Sequence, residues 1–175
     1  MPDLYAAAAR RLINPPLGVR RAGIRIFADP IRTIESDLTA TAVVLSDGDT
    51  RLAIIALDLC LMSMREMTEL RSRIACAVDT RPSQVMVNLS HTHSSPALPD
   101  FIPDTTEQMD LKKQYRDHLF ESAAAAAEEA AGRLLPAGRP NSRSCRPISS
   151  CGRQACRHRT SDPRYGSSPT GPLAP

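Results

Sequence analysis

The stretch LTATAVVLSDGDTRLAIIALDL, residues 38–59, decides the fold of this chain. Its first part, residues 38–45, is rich in β-branched residues, and its last part, residues 51–59, is almost continuously apolar. The intervening SDGDT, residues 46–50, has the composition of a turn. We therefore predict a β-hairpin whose second strand is buried on both faces.

Two further elements follow the hairpin. Ser63 and Glu66 have the spacing of a capping box, and apolar residues then recur at steps of three and four, which predicts an amphipathic helix over residues 64–78. Residues 85–89, VMVNL, predict another buried strand. The sequence thus predicts an α/β fold, a mixed sheet with flanking helices, in which the strand at 85–90 lies in the middle.

A loop is predicted before this region and a long helix after it. Residues 12–19, LINPPLGV, contain two prolines followed by a glycine and predict a shaped loop. A long helix is predicted from Asp104, with Glu107 in a second capping box, to residues 135–136. The apolar stripe of this helix comprises Leu111, Tyr115, Leu119, Ala123 and Ala126.

The charge of the chain is concentrated near its C-terminus. Residues 1–135 carry 15 Lys and Arg against 18 Asp and Glu, a net charge of −3, whereas residues 136–175 carry seven Arg and one acid, a net charge of +6. This last stretch is rich in Arg, Pro, Ser and Cys without apolar periodicity, so it cannot offset the entropy of ordering. We predict an α/β segment at residues 1–137 and a disordered tail at residues 138–175.

The cysteine content and the apolar runs give a prediction for localisation. No run of 18 apolar residues occurs, and the first arginines follow a short alanine run, which is the reverse of a secretory signal. The five cysteines are odd in number, which argues against a disulfide framework, and we expect Cys60 and Cys76 to be small buried residues. These features predict a cytoplasmic protein without a transmembrane segment.

His91 and His93 are the candidate functional residues. They directly follow the predicted strand, and since strand side chains alternate, both imidazoles would point the same way and could converge on one metal ion or one substrate group. The alternative is a pair of surface histidines at the end of a strand. Asp58 would either orient one of the imidazoles or cap the turn that follows it. His118, on the long helix, fits a surface residue better than a ligand.

Several segments together resemble the neutral/alkaline ceramidase family. Residues 14–18, NPPLG, are similar to its T-P-P-x-G opening, and residues 85–96, VMVNLSHTHSSP, resemble its H-T-H-S-G-P metal loop. The hairpin and the end of the alanine-rich helix, GRLLPA at residues 132–137, also match, so the resemblance covers residues 10–137. Asn14 stands where the family has Thr, and Ser95 where it has Gly.

The resemblance implies an enzyme that uses Zn²⁺ to cleave the N-acyl amide of ceramide, with a ceramide-like lipid amide as its partner. It implies that His91 is a zinc ligand and that His93 is catalytic, beside the reacting centre. The family's other ligands and its catalytic serine lie further along the chain than this sequence extends. We therefore expect the incomplete N-terminal part of a larger hydrolase domain, inactive by itself, followed after residue 137 by a composition resembling a translated wrong reading frame.

Two non-enzymatic interpretations remain open. In the first, Cys145, Cys151, Cys156 and His158 form a zinc knuckle that grips nucleic acid. Their spacing lacks a close C-x2-C pair, and no aromatic residue lies among them to stack on a base, so we expect no nucleic-acid partner. In the second, residues 1–137 are a complete non-catalytic domain that binds a partner through an open sheet edge.

Overall fold

A computed structural model describes residues 4–22, 30–96, 98 and 104–137. An α/β fold with a mixed sheet is confirmed over these residues. The domain boundary predicted at residue 137 stays a prediction, because residues 138–175 lie outside the described part of the chain. The elements in chain order are β1 Tyr5–Leu12, β2 Thr39–Ser46, β3 Arg51–Leu57, α1 Met64–Ala77, a 3₁₀ turn Pro82–Gln84, β4 Val85–Leu89, α2 Thr106–Ala131 and β5 Leu135–Pro136.

The five described strands form one sheet in the order β4-β3-β2-β1-β5. Strands β3 and β4 are parallel, and every other neighbouring pair is antiparallel. The predicted hairpin is confirmed as β2 and β3. Its turn is closed by Asp47, whose Oδ1 accepts hydrogen bonds from the backbone N–H of Asp49 at 3.1 Å and of Thr50 at 2.8 Å. These donors also lower the pKa of the Asp47 carboxyl, since they stabilise its charged form.

The core lies between the sheet and its two helices. Helix α2 packs on β1 and β2, and helix α1 packs on α2 and β4. The sheet side of this core consists largely of small and branched residues at alternate positions, which lets the alanine-rich half of α2 come close. The largest fully buried side chains of the helices are Tyr115, Phe120, Leu119, Leu70 and Ile74.

Two predictions about the strands are wrong. Strand β3 is buried on one face only, because α1 and α2 both cover the same face; Leu52 and Ile54 on the other face are 45% and 39% exposed. Strand β4 is likewise half-buried, and Met86 is 59% exposed. In addition, β4 lies at the edge of the described sheet rather than in its middle, because β3 is its only partner among the described strands.

Strand β1 was not predicted. Its sequence, YAAAARRL, has the alanine content of a helix, but β2 pairs along its whole length and β5 adds two further pairs on its other side. The hydrogen-bond ladder therefore overrides the weak β-propensity of alanine. The same pairing explains why α2 ends at Ala131: residues 135–136, predicted to be its last turn, form β5 instead.

The helix termini follow local chemistry. The capping box of α1 is confirmed, since Glu66 N–H donates to Ser63 Oγ at 3.2 Å and Ser63 N–H donates to Glu66 Oε2 at 2.9 Å. Helix α2 is capped by Thr105 instead of Asp104, because Thr105 Oγ1 accepts from the N–H of Gln108. Asp104 forms ion pairs with the side chains of Arg20 and Lys112. Within the described residues, no helix is both long enough and apolar enough to cross a membrane.

The predictions for the two described cysteines have different outcomes. Cys60 is buried, as predicted, but Cys76 is exposed, so that prediction is wrong. Cys76 lies near the end of α1, directly after the buried residues Ile74 and Ala75, and the helical rotation turns it away from the core.

We predict that Tyr115→Phe increases the stability of the protein. Tyr115 is fully buried, its hydroxyl has no hydrogen-bond partner among the described residues, and burial together with the charge of Asp58 raises its pKa, so the hydroxyl stays protonated. Removing an unpaired buried hydroxyl should raise the free energy of unfolding by about 1 kcal/mol, whereas Tyr115→Ala should lower it by about 3–5 kcal/mol through the cavity it leaves. Urea unfolding monitored by circular dichroism measures both changes. A loss of stability in Tyr115→Phe would show that the hydroxyl is satisfied in solution.

Candidate metal centre

The candidate site lies where the parallel strands β3 and β4 end, side by side. Past these ends the two chain segments stay joined, because Ser90 N–H donates to the carbonyl of Leu57 at 3.0 Å and His91 N–H donates to the carbonyl of Leu59 at 3.0 Å. The residue after Leu59 is Cys60. The continued pairing therefore places His91 beside Cys60, although 31 positions separate them in the sequence.

Ser95 fixes the far end of the loop that carries His91 and His93, residues 90–95, here called the histidine loop. It is fully buried, and its Oγ accepts a hydrogen bond from Cys60 N–H at 2.8 Å. Its carbonyl accepts from Ala22 N–H at 2.8 Å. Ser95 occupies the position where the resembled metal loop has glycine, which has no hydroxyl to offer. The Ser95 hydroxyl thus adds a bond between the histidine loop and the segment after β3.

His91 adopts a backbone conformation that is rare for a residue with a side chain. Its φ is 57°, in the left-handed region, which costs about 1–3 kcal/mol and persists only where the surrounding structure enforces it. Its Nδ1 lies 2.9 Å from the carbonyl oxygen of Cys60 and 3.9 Å from Cys60 Sγ. Because a carbonyl oxygen only accepts, the first contact requires the tautomer with a proton on Nδ1, which leaves the lone pair on Nε2.

Three possible metal-ligand atoms converge at this place. Cys60 Sγ and one imidazole nitrogen each from His91 and His93 all lie within 4.8 Å of one another. The two imidazole rings meet edge to face, with centroids 5.2 Å apart and an angle of 85° between their planes. Cys60 is 3% exposed, whereas both histidines are exposed. The cluster therefore has a buried sulfur and two imidazoles that solvent can reach.

The structure brings the two predicted histidines together, but not by the predicted route. Strand β4 ends at Leu89, so neither histidine lies in the strand and the alternation of strand side chains does not apply to them. The left-handed turn at His91 and the clamped loop place the imidazoles side by side instead.

Sequence reasoning missed Cys60, which had been assigned to packing. Its one sequence signal is its position two residues after Asp58, at the same sheet edge as the histidines. Burial raises the pKa of its thiol, because desolvation disfavours the thiolate.

The other candidates lie outside the cluster. Asp58 was expected to orient an imidazole or to cap its own turn, but its Oδ2 accepts from Thr39 N–H at 3.0 Å and Thr39 Oγ1 at 2.8 Å and so fixes the start of β2. Within the described residues it makes no hydrogen bond to an imidazole, and the carbonyl of Cys60 fills that role. His118 is an exposed residue of α2, as expected.

A cleft of about 340 Å³ adjoins the histidine loop at Ser94. Its wall includes Asn14, whose Oδ1 accepts from Leu38 N–H at 2.8 Å and whose Nδ2 donates to Asp37 Oδ1 at 2.7 Å. Asn14 thus fixes the shape of the proline-containing loop that the sequence predicts. Other lining residues include Ile31, Ile34, Arg21, Arg32 and Glu35.

Comparison with known proteins relates this fold to ceramidases. Neither a protein-family model nor a curated protein matches the sequence. The neutral ceramidase from Pseudomonas aeruginosa superimposes with a TM-score of 0.60 at 17% identity, over 78% of this chain and 22% of that chain. A ceramidase complexed with C2 superimposes with a TM-score of 0.55 at 15% identity and the same coverage. The chain therefore has a ceramidase-like fold and spans 22% of the length of these proteins.

We predict that His91→Gly is more stable than His91→Ala. Both variants lack the imidazole, but only glycine adopts a φ of 57° without strain, so the difference should be about 1 kcal/mol, less whatever glycine loses in unfolded-state entropy. The pair His93→Gly and His93→Ala is the control, because His93 does not have a positive φ and alanine should be the more stable of the two there. Urea titration of the four variants gives the comparison. If alanine is more stable than glycine at position 91, as expected at position 93, the left-handed turn at His91 does not form in solution.

Proposed function

We propose that this chain forms the metal-binding N-terminal part of a zinc-dependent hydrolase that cleaves the amide bond of a ceramide-like lipid. The observation that carries the proposal is the convergence of His91 and His93 at the ends of two parallel strands, in a fold that resembles ceramidases. The likeness supports the substrate class, because both solved proteins are named ceramidases.

The donor set fits zinc. Imidazole nitrogen and thiolate sulfur are its preferred ligands, at about 2.0–2.1 Å and 2.3 Å, which puts ligand atoms of a tetrahedral site about 3.3–3.8 Å apart. The three atoms lie within 4.8 Å of one another, so they would have to close by about 1 Å, a movement that exposed imidazoles can make by side-chain rotation. When bound, zinc would polarise the amide carbonyl or activate the attacking water.

We assign different roles to the two histidines. His91 is the metal ligand, because the contact of its Nδ1 with the carbonyl of Cys60 holds the ring in one orientation, as such contacts do for metal-bound imidazoles. His93 is the catalytic residue. It is exposed, and it directly precedes Ser94, which lines the cleft. From this position it would deliver a proton to the amine that leaves when the amide bond breaks.

The cleft beside the histidine loop would take the part of the lipid next to the amide. Ile31, Ile34 and Leu38 offer apolar surface to a hydrocarbon chain, and Arg21 and Arg32 offer polar contacts to the headgroup side. The cleft meets the loop that carries the two histidines at Ser94.

The described cluster supplies only part of what amide hydrolysis requires. The reaction needs a positioned nucleophile and hydrogen-bond donors for the developing oxyanion, and losing single members of such sets costs orders of magnitude in rate. The cluster provides one assigned metal ligand, His91, and one proton-transfer group, His93. We therefore propose that the 175-residue chain contributes one corner of the active site and is inactive alone. The zinc-knuckle alternative rests on Cys145, Cys151, Cys156 and His158, which lie outside the described residues.

The metal assignment predicts that zinc binding depends on His91. In a background with Cys145, Cys151 and Cys156 changed to serine, His91→Ala should weaken zinc binding at least tenfold, because it removes the imidazole assigned as the metal ligand. His118→Ala removes an exposed histidine on α2 and should leave the affinity unchanged. Competition with a chromophoric chelator measures all three proteins. Tight one-to-one binding that survives His91→Ala would refute the assignment.

The inactivity of the isolated chain is tested with a fluorescent ceramide. The rate of ceramide hydrolysis by the purified chain with zinc should equal that of a blank containing zinc alone. The described cluster does not supply the oxyanion donors or the positioned nucleophile. Turnover above the blank that disappears both in His91→Ala and on addition of a chelator would show that the chain is an enzyme by itself.

A further inference from the structure

We propose that Gln108, on helix α2, is a positioning residue for the candidate site. Its side-chain amide holds residues 18–22, here called the bridging segment, and so sets the spacing between the histidine loop and the cleft. The inference rests on the proposed function, since it takes that loop and that cleft as parts of one lipid-hydrolase site. The hydrogen bonds that carry it involve no metal ion.

The amide of Gln108 pairs with the backbone of the bridging segment. Its Nε2 donates to the carbonyl of Gly18 at 2.8 Å, and its Oε1 accepts from Arg20 N–H at 3.0 Å. These two contacts need one donor and one acceptor, and a side-chain amide offers both. A carboxylate at this position could accept from Arg20 N–H but could not donate to Gly18, and an apolar side chain could make neither bond.

The bridging segment holds a wall of the cleft. Gly18 N–H donates to the carbonyl of Ile31 at 2.8 Å, and Ile31 N–H donates to the carbonyl of Val19 at 2.9 Å. Ile31 lines the cleft, as does Arg21 of the bridging segment itself. A displacement of the bridging segment would therefore change the shape of the cleft.

The end of the bridging segment holds the histidine loop. Ala22 N–H donates to the carbonyl of Ser95 at 2.8 Å, and Ser95 Oγ accepts from Cys60 N–H at 2.8 Å. Because one short segment contacts both the cleft wall and the histidine loop, its position determines how far these two lie apart. In enzymes generally, a misplacement of about 1 Å can cost roughly 100-fold in rate, so this spacing matters for the proposed reaction.

The burial of Gln108 explains why its two hydrogen bonds matter. Gln108 is 9% exposed and is one of three buried polar residues in the described part of the chain, together with Ser46 and Ser95. Without its partners, the buried amide and the backbone groups that it satisfies would lose stability. The backbone of Gln108 is held as well, because its N–H donates to Thr105 Oγ1 at the start of α2. The end of the helix thus holds the amide, and the amide holds the bridging segment.

The test compares the full chain with Gln108→Leu, Gln108→Glu and the control Gln114→Leu, which makes the same change at an exposed position of α2. Hydrogen exchange of single backbone amides is measured by NMR. Gln108→Leu should speed exchange at Ala22 and Ile31 about tenfold relative to the amides of the β2–β3 hairpin, the factor that one lost hydrogen bond of typical strength gives. Arg20 N–H should stay protected in Gln108→Glu and lose its protection in Gln108→Leu. Gln114→Leu should match the unchanged chain at all of these amides.

The imidazole signals report the effect on the histidine loop. Gln108→Leu should shift the imidazole C–H signals of His91 and His93 in the NMR spectrum. The signals of His118, which lies on the same helix, should not move. A lower free energy of unfolding alone would not shift the signals of the folded state, so this measurement separates a positioning role from a purely stabilising one.

The outcomes separate this inference from the proposed function. If Gln108→Leu matches Gln114→Leu in exchange at Ala22 and in the signals of His91 and His93, the positioning role is overturned and the zinc assignment stands. Zinc binding that is indifferent to His91→Ala would overturn the proposed function, while the exchange and imidazole results would still decide whether Gln108 holds the histidine loop.

A second variant decides if Gln108→Leu fails to fold, as judged by circular dichroism. Gln108→Glu retains the bond to Arg20 and loses the bond to Gly18, so exchange at Ile31 should still be faster than in Gln114→Leu. Equal exchange at Ile31 in these two variants would overturn the inference.

Discussion

The parallel pairing of β3 with β4 is the constraint on which the rest of the structure depends. The ladder runs from Ala53 opposite Val85 to Leu57 opposite Leu89, and its hydrogen bonds continue beyond both strands. Helix α1 forms the crossover that makes this pairing possible and packs on β4 and α2. Because the two strand ends lie together, a thiol and two imidazoles from distant parts of the sequence reach the same place.

Local sequence patterns were sufficient to predict five of the described elements, namely β2, β3, α1, β4 and α2. The hairpin has β-branched strands and a turn that Asp47 closes, and α1 has the capping box of Ser63 and Glu66, so each carries its own signal within a few residues. Strand β1 has no such signal, because its alanines favour helix and only its pairing partners make it a strand. The exposed outer face of β3 could not be predicted either, since a continuous apolar run does not reveal how many layers cover it.

The candidate site was predictable to the same limited extent. His91 and His93 are recognisable because they follow an apolar strand, which is a local pattern. The contributions of Cys60 and Ser95 depend on a hydrogen bond between residues 35 positions apart, and no pattern within either segment signals it. Asp58 follows an apolar strand, where a carboxylate that orients an imidazole is expected. Its Oδ2 instead accepts hydrogen bonds from Thr39 on the neighbouring strand.

The continued backbone pairing past β3 and β4 constrains the number of residues between each strand end and the metal cluster. The carbonyls of Leu57 and Leu59 accept hydrogen bonds from Ser90 N–H and His91 N–H, so an insertion of one residue in either segment would move His91 away from Cys60. The crossover through α1 and the β2–β3 turn are not constrained in this way, so they can change in length at little cost in free energy. Across the evolution of chains that keep this cluster, we expect gaps and insertions to accumulate in those two connections and to be absent from the few positions that follow the paired strands.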